Sequence, residues 1–150
     1  MKGIDSFIDC WIGKHTMVPI SLQDLNELEE RLFHTLPSAY KYLLTTYGLI
    51  HTPNVMNQSC DLSINIENVQ DFLSVDDVYE LSKLYQMSGM PQGHVVFASD
   101  CNGNMFCFKS AQCEHSQQDI PVWFYDRNAA IVTQVSDSFI AWLSGFNDQL

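Results

Sequence analysis

Cysteine and histidine are the residues in this chain whose types and spacing could bind a metal. Cys101, Cys107 and Cys113 follow one another at intervals of six residues. His94 and His115 flank this run. Structural zinc sites bring their ligands in pairs two to four residues apart, and only Cys113 and His115 form such a close couple. A buried cysteine ordinarily packs as a small apolar side chain. We therefore predict no metal and no cofactor, with Cys107 packed in a core.

No combination of residues forms a catalytic pattern. A cysteine nucleophile needs a histidine base within hydrogen-bond reach, and five cysteines with five histidines offer no preferred pair. Adjacent carboxylates such as Asp76 and Asp77 point about 100° apart on a helix, so they suit a solvated face better than an acid–base pair. No lysine follows a glycine-rich turn of the kind that holds phosphate. We predict that the protein is not an enzyme.

Acidic residues have the clearest pattern. The chain has 18 acidic and 7 basic residues, and its formal charge of -11 argues against nucleic acid or an anionic membrane as partner. One cluster lies within residues 24–30 and a second within 71–80. Such clusters could bind a basic protein, or they could be the solvent-exposed faces of amphipathic helices. The residues that we predict as partner contacts are Asp71, Asp76, Asp77, Tyr79, Glu80, Asp100 and Asp126.

Composition predicts one domain over residues 1–150. Hydrophobic residues make up 46% of the chain and aromatic residues 12%, which is enough to bury a core. We find no secretory signal and no apolar run of the roughly 18–20 residues that a membrane span needs. The five cysteines are dispersed and odd in number, which indicates reduced thiols. We expect a cytoplasmic protein that is a monomer or a weak dimer.

Apolar spacing predicts three helices in the first third of the chain. The first covers residues 4–14, and Ser21 caps the second. Pro37 lies in the first turn of the third, over 38–47, and Gly48 ends it. The buried stripe of the second helix is predicted to be Leu22, Leu25, Leu28, Leu32 and Phe33.

Two more helices follow in the second half. Asp76 is the predicted N-cap of a helix that reaches Met87. Its predicted buried face consists of Val78, Leu81, Leu84 and Tyr85. Ser136 is predicted to cap the last helix, which ends near Gly145.

Residues 93–108 predict the central hairpin of a sheet, because two runs rich in valine and phenylalanine flank a turn that contains Asn102-Gly103. Further strands are predicted at 61–67, 120–125 and 130–135. Successive strands joined by short turns imply an α+β fold, a mainly antiparallel central sheet packed by helices at both ends of the chain.

The order of these motifs resembles the SUKH superfamily, the group of fungal cell-wall-assembly regulators and their bacterial relatives. The opening segment, 28–50, matches the family signature at Glu29, Leu32, Leu36, Pro37, Tyr40 and Gly48. Segments 72–81, 95–108, 121–126 and 135–143 are similar to the later family motifs, so the resemblance covers about residues 20–146. Two positions depart from the family pattern. Tyr47 lies where the family often has asparagine, and residues 49–51 lie where the family sequence is usually rich in glycine.

The resemblance implies an α+β fold and a non-enzymatic role. Bacterial members are commonly immunity proteins that neutralise protein toxins, many of them nucleases. A nuclease is usually basic because it binds phosphates, so an acidic immunity protein complements it. We therefore predict a protein that binds and neutralises a cognate basic toxin. The alternatives are an intracellular interaction scaffold or regulator, as among the fungal members, and a small thiol- or metal-dependent enzyme.

Overall fold

The computed structural model describes residues 2–11, 18–48, 71–100, 102–109 and 119–147. The helices are α1 (Lys2–Trp11), α2 (Leu22–Leu32), α3 (Ser38–Thr46), α4 (Val75–Met87) and α5 (Phe139–Asn147). The strands are β1 (Asp71–Phe72), β2 (His94–Ser99), β3 (Met105–Lys109), β4 (Val122–Asp126) and β5 (Ile131–Ser136). The strand predicted at 61–67 lies outside the described residues.

The strands form one antiparallel sheet in the order β1-β2-β3-β4-β5. Helices precede the sheet and a helix follows it, so the predicted α+β class is confirmed. The hairpin of β2 and β3 lies at the centre of the sheet, as predicted. Gly103 in its turn has φ +81°, a conformation that favours glycine, which confirms the role assigned to the Asn-Gly pair.

An aromatic cluster joins the central hairpin to the helices. The rings of Phe97 and Phe108 stack with centroids 4.2 Å apart, and Tyr40 of α3 packs edge-on against Phe108. Phe139 and Trp142 of α5 meet Phe97 at 5.7 and 5.3 Å. Pairs of this geometry add to the stabilisation that area burial alone supplies. Cys107 of β3 is buried, as predicted, and burial raises the pKa of its thiol to about 12.

Serine hydroxyls cap the N-termini of three helices, and in two of them the capping residue differs from the predicted one. Ser21 Oγ accepts the Asp24 N–H at 3.1 Å, as expected. At α4 the N-cap is Ser74 and not Asp76, because the Ser74 hydroxyl accepts the Asp77 N–H at 3.2 Å. Asp76 lies instead inside the first turn, where a carboxylate favours the helix dipole.

Two other helix starts differ from expectation by one or two residues. Ser138 and not Ser136 caps α5, since its Oγ accepts the Ala141 N–H at 3.0 Å. Pro37 is the N-cap of α3 and does not lie in its first turn. Its φ of -66° suits either place, so the sequence pattern alone does not distinguish them.

The joint between α2 and α3 depends on Glu29. Its Oε2 accepts the Leu36 N–H at 2.8 Å, and its Oε1 lies 3.2 Å from Lys41 Nζ. The Glu29 and Lys41 side chains are only 15% and 18% exposed. Because Glu29 is largely shielded from solvent and each of its carboxylate oxygens has a partner, it holds the fold together and offers little to a protein partner.

Gly48 ends the helical pair at a point of close backbone approach. Its φ is +104°, and a Cβ placed there would lie 2.2 Å from the carbonyl oxygen of Val18. The segment before α2 is also fixed by a hydrogen bond from the Ile20 N–H to the Leu44 carbonyl at 2.9 Å. Only glycine fits this position without displacing the Val18 backbone.

Asp5 ties α1 to the end of α3. Its Oδ1 accepts hydrogen bonds from the hydroxyls of Tyr47 and Tyr42. These two bonds favour the ionised carboxylate, so the pKa of Asp5 lies below its ordinary value of 3.8. The pKa of Tyr42 is raised in return, because its proton is held by Asp5.

The Asp5 clamp predicts a pH-dependent stability difference. A carboxyl group whose folded pKa is depressed stabilises the fold above its unfolded pKa, and the effect is lost as the pH falls through the folded pKa. We expect Asp5→Asn to lower Tm at neutral pH. The gap from wild type should close as the pH falls below about 4, measured by circular dichroism. A gap that is constant across this range would contradict an ionised Asp5 clamp.

Candidate partner-binding surface

Helix α4 covers the edge of β2 and is fixed there by polar contacts. Ser82 Oγ accepts the Val96 N–H at 3.1 Å, and Gln86 Nε2 donates to the His94 carbonyl at 3.2 Å. These side chains satisfy backbone groups that an edge strand would otherwise present to solvent. Val78 and Ser82 are the fully buried positions of the helix. Because its inner side is bonded to the strand, α4 presents its outer side as a rigid surface.

The outer side of α4 combines acidic and apolar side chains. The exposed residues of α4 are Asp76, Asp77, Glu80, Lys83, Leu84 and Met87, and we call this set without Lys83 the α4 ridge. Leu84 is 54% exposed and Met87 is 86% exposed. The prediction that Leu84 is buried is therefore wrong: the helix turns the polar Ser82 inward, where its hydroxyl meets the Val96 N–H.

Two cations lie over the ring of Tyr79, beside the α4 ridge. The guanidinium carbon of Arg31 lies 4.0 Å from the Tyr79 ring centroid, and Lys83 Nζ lies 5.7 Å from it. Arg31 also reaches Asp76 at 3.6 Å, an exposed ion pair of little energetic weight. Within the described part of the chain no ion pair involves Asp77 or Glu80. Their charges are available to a cationic partner.

Two clefts flank α4. The first, of about 350 Å³, lies between the end of α2 and α4, and we call it the α2–α4 cleft. Its walls include Phe33, His34, Lys83, Gln86 and Val95. The second, of about 430 Å³, lies between α4 and the turn after β4. Its walls include Leu84, Tyr85, Tyr125, Arg127 and Asn128. The α4 ridge is thus a raised surface between two depressions.

The structure brings together four of the seven predicted contact residues. Asp76, Asp77, Tyr79 and Glu80 lie on successive turns of α4. Asp126 ends β4 next to Arg127 in the wall of the second cleft, and its Oδ1 accepts the Asn128 N–H at 2.9 Å. Asp71 lies in β1, and its side chain is outside the described part of the structure.

Asp100 has a structural role in place of the expected exposed one. Its side chain is only 3% exposed. Oδ1 accepts the N–H groups of Asn102 and Asn104, and Oδ2 accepts the Asn104 side-chain amide at 3.0 Å. A carboxylate that is buried and saturated by its own turn cannot pair with a partner's cation. We therefore leave Asp100 out of the proposed surface.

The sequence pattern misassigned Leu22 and Phe33 as well as Leu84. Leu22 and Phe33 were predicted to lie on the buried stripe of α2, yet Leu22 is 57% exposed and Phe33 is 85% exposed. The buried positions are Leu25, Leu28 and Leu32, and Phe33 follows the end of the helix with φ 59°, so the helical spacing of the stripe does not extend to it. Residue type gave no signal for this helix end, because glycine is the usual residue at a left-handed position.

The described residues contain no group of side chains that could hold a metal ion. No three side chains of histidine, cysteine, aspartate or glutamate come together there. His94 is buried, its Nδ1 lies 3.1 Å from the Pro91 carbonyl, and burial lowers its pKa. Cys101, Cys113 and His115 lie outside the described residues.

The fold is α+β, with an acidic and apolar helix beside an antiparallel sheet. None of the described helices is long and apolar enough to cross a membrane. The sequence profile of the SMI1 / KNR4 family (SUKH-1) matches residues 19–145. The chain therefore belongs to this family, as its motifs predicted. No curated protein matches the chain in a direct comparison.

Proposed function

We propose that this protein is an immunity protein that binds and neutralises a basic protein toxin. The observation that carries the proposal is the α4 ridge. It presents Asp77 and Glu80, carboxylates that form no ion pair among the described residues, beside the exposed apolar side chains of Leu84 and Met87. Membership of the SMI1 / KNR4 family supports a role in binding other proteins.

The mixture of side chains on the ridge suits a protein interface. Stable interfaces place a few apolar anchors among polar residues that exclude water and set the partner's orientation. Leu84 and Met87 can supply anchors, and Asp76, Asp77 and Glu80 can supply the polar rim. Since α4 is bonded to β2 on its inner side, little conformational entropy is lost on binding.

The charge of the chain favours a basic partner. A formal charge of -11 attracts a cationic protein over a Debye length of about 8 Å at physiological salt, which raises the rate of encounter. Nucleases are cationic where they contact phosphates, so the same surface of the toxin would attract the α4 ridge. Neutralisation by occupation of that surface requires no catalytic residue in the immunity protein.

The proposal is tested with the toxin domain encoded beside this chain's gene. Co-expression should rescue growth of cells that produce the toxin, and the purified pair should form a complex whose affinity falls as salt rises. An inactive variant of the same toxin domain allows the affinity to be measured by calorimetry at about 50 and 300 mM salt. No rescue and no complex at either salt concentration would refute the immunity function.

A further inference from the structure

Phe33 occupies a backbone position that ordinarily belongs to glycine. It follows the last residue of α2 with φ 59° and ψ 30°, the left-handed conformation. The Phe33 N–H donates to the Glu30 carbonyl and the His34 N–H to the Glu29 carbonyl. This pair of bonds is the Schellman ending of a helix, in which glycine is the usual residue at the left-handed position. A bulky side chain there is an uncommon choice.

Among the described residues, no contact compensates for this choice. The Phe33 side chain is 85% exposed, so its ring gains little from burial. A left-handed conformation strains a residue that carries a Cβ, and an exposed aromatic ring adds apolar surface to solvent. Residues held in such conformations cluster at ligand-binding sites, which makes the observed outlier a reason to look for a partner.

The net charge of the chain, and not the lining of the cleft beside Phe33, favours a cationic protein as that partner. Phe33 forms one wall of the α2–α4 cleft, with Lys83 and Gln86 opposite. Lys83 lies over the Tyr79 ring, and Glu30, one turn before Phe33, is exposed with no ion pair among the described residues. A second copy of this chain would bring another charge of -11 to the surface, which opposes self-association.

We propose that Phe33 is an apolar anchor that inserts into a pocket of the basic protein partner, with Glu30 and the α4 ridge pairing with the cations around that pocket. This inference rests on the proposed function and adds the residue that dominates its affinity. Aromatic side chains at the centre of an interface commonly contribute most of the binding free energy. The left-handed backbone of Phe33 presents the ring to the partner before binding.

The test is Phe33→Gly, measured for both stability and binding. Glycine relieves the backbone strain and keeps the helix ending, so Tm should rise by about 2–4 °C. The affinity for the inactive toxin domain encoded beside this gene should fall at least about tenfold. A gain in stability together with a loss of binding distinguishes an anchor from a residue that serves the fold.

Ala130 supplies the matched control for backbone strain. It is the other non-glycine residue with positive φ among those described, at 55°, and it lies in the turn between β4 and β5. Ala130→Gly should raise Tm in the same way and leave the affinity unchanged. Ile131, which is 57% exposed on β5, controls for the loss of exposed apolar surface. Ile131→Ser should also leave the affinity unchanged.

The outcomes separate this inference from the proposed function. If wild type binds the toxin domain and Phe33→Gly binds equally well, the anchor is refuted and the function stands. If wild type shows no binding, the function and the anchor both fail. A lower Tm for Phe33→Gly would show that the ring stabilises the monomer and would overturn the inference. The inference would also be overturned if light scattering showed that the wild type is a dimer and that Phe33→Gly is a monomer. The partner that contacts Phe33 would then be a second copy of this chain.

Discussion

Replacement of Asp76, Asp77 and Glu80 by lysine is expected to weaken toxin capture by about 100-fold or more. Each replacement changes the charge by +2, so the chain moves from -11 to -5 and the α4 ridge becomes cationic. A cationic ridge repels a basic partner at the interface itself, where like charges cost several kcal/mol. Most of the loss should appear as slower association, measured by surface plasmon resonance. Added salt should slow association of the variant less than it slows association of the wild type.

A second variant, in which three other acidic residues are replaced by lysine, distinguishes contacts made by the α4 ridge from the effect of net charge. Asp24, Glu27 and Asp137 are exposed residues on α2 and after β5, and their replacement by lysine gives the same formal charge of -5. This control should lose much less affinity, because its carboxylates lie outside the α4 ridge. Equal losses in the two variants would mean that only net charge matters and that α4 is not the interface. All six of the replaced residues are exposed, so both variants are expected to fold.

Replacement of Gly48 by alanine is expected to destabilise the fold by about 2–5 kcal/mol. Two costs combine at this position. A residue with a Cβ is strained at φ +104°, and its Cβ would lie 2.2 Å from the Val18 carbonyl oxygen. The obstacle is backbone, which is itself held by the hydrogen bond from Ile20 to Leu44 and cannot move freely. Denaturant unfolding of both proteins measures the difference.

Gly89 is the matched control for the conformational part of this cost. Its φ is +120°, but the nearest atom to an added Cβ is the Tyr125 hydroxyl oxygen at 3.9 Å, an ordinary contact. Gly89→Ala should therefore cost only the strain, about 1 kcal/mol. If Gly48→Ala costs no more than Gly89→Ala, the close approach to Val18 has no energetic consequence and our account of Gly48 is wrong.

The sequence predicted the elements of the fold well where local patterning decides them. Hydrophobic spacing located α2, α3 and α4 and the hairpin of β2 and β3, because amphipathic periodicity follows from which side of an element is buried. The helix caps were less predictable. Ser74 and Asp76 are both good N-cap residues, and the choice between them depends on where the chain leaves β1. That position is set by tertiary packing.

The candidate surface was only partly predictable. The acidic cluster on α4 was visible in the sequence, because charges on a helix exterior need no tertiary partner. The burial of Asp100 was not, since it depends on the hydrogen bonds that Asn102 and Asn104 donate once the turn has formed. The exposures of Phe33 and Leu84 were also missed, because apolar residue type was taken as a sign of burial.

The residues that carry the family resemblance explain the fold and leave the partner open. Glu29 accepts the Leu36 N–H, Tyr40 lies in the aromatic cluster, and Gly48 permits the approach of Val18. Each of these roles would be needed whatever the protein binds. The exposed side chains of Glu80, Leu84, Met87 and Phe33 have no such structural role among the described residues. Specificity for one toxin is therefore expected from residues outside the signature.

Helix α1 shows that the family match and the buried core have different boundaries. The match begins at residue 19, yet Ile4 and Ile8 of α1 belong to the same buried cluster as the sheet. At Gly3 the helix approaches α5 so closely that a Cβ would lie 2.4 Å from a methyl carbon of Ile140. A recombinant fragment cut at the family boundary would expose the surfaces of α3 and α5 that α1 covers. Such a fragment would be prone to aggregate, so binding studies require the chain from its first helix onward.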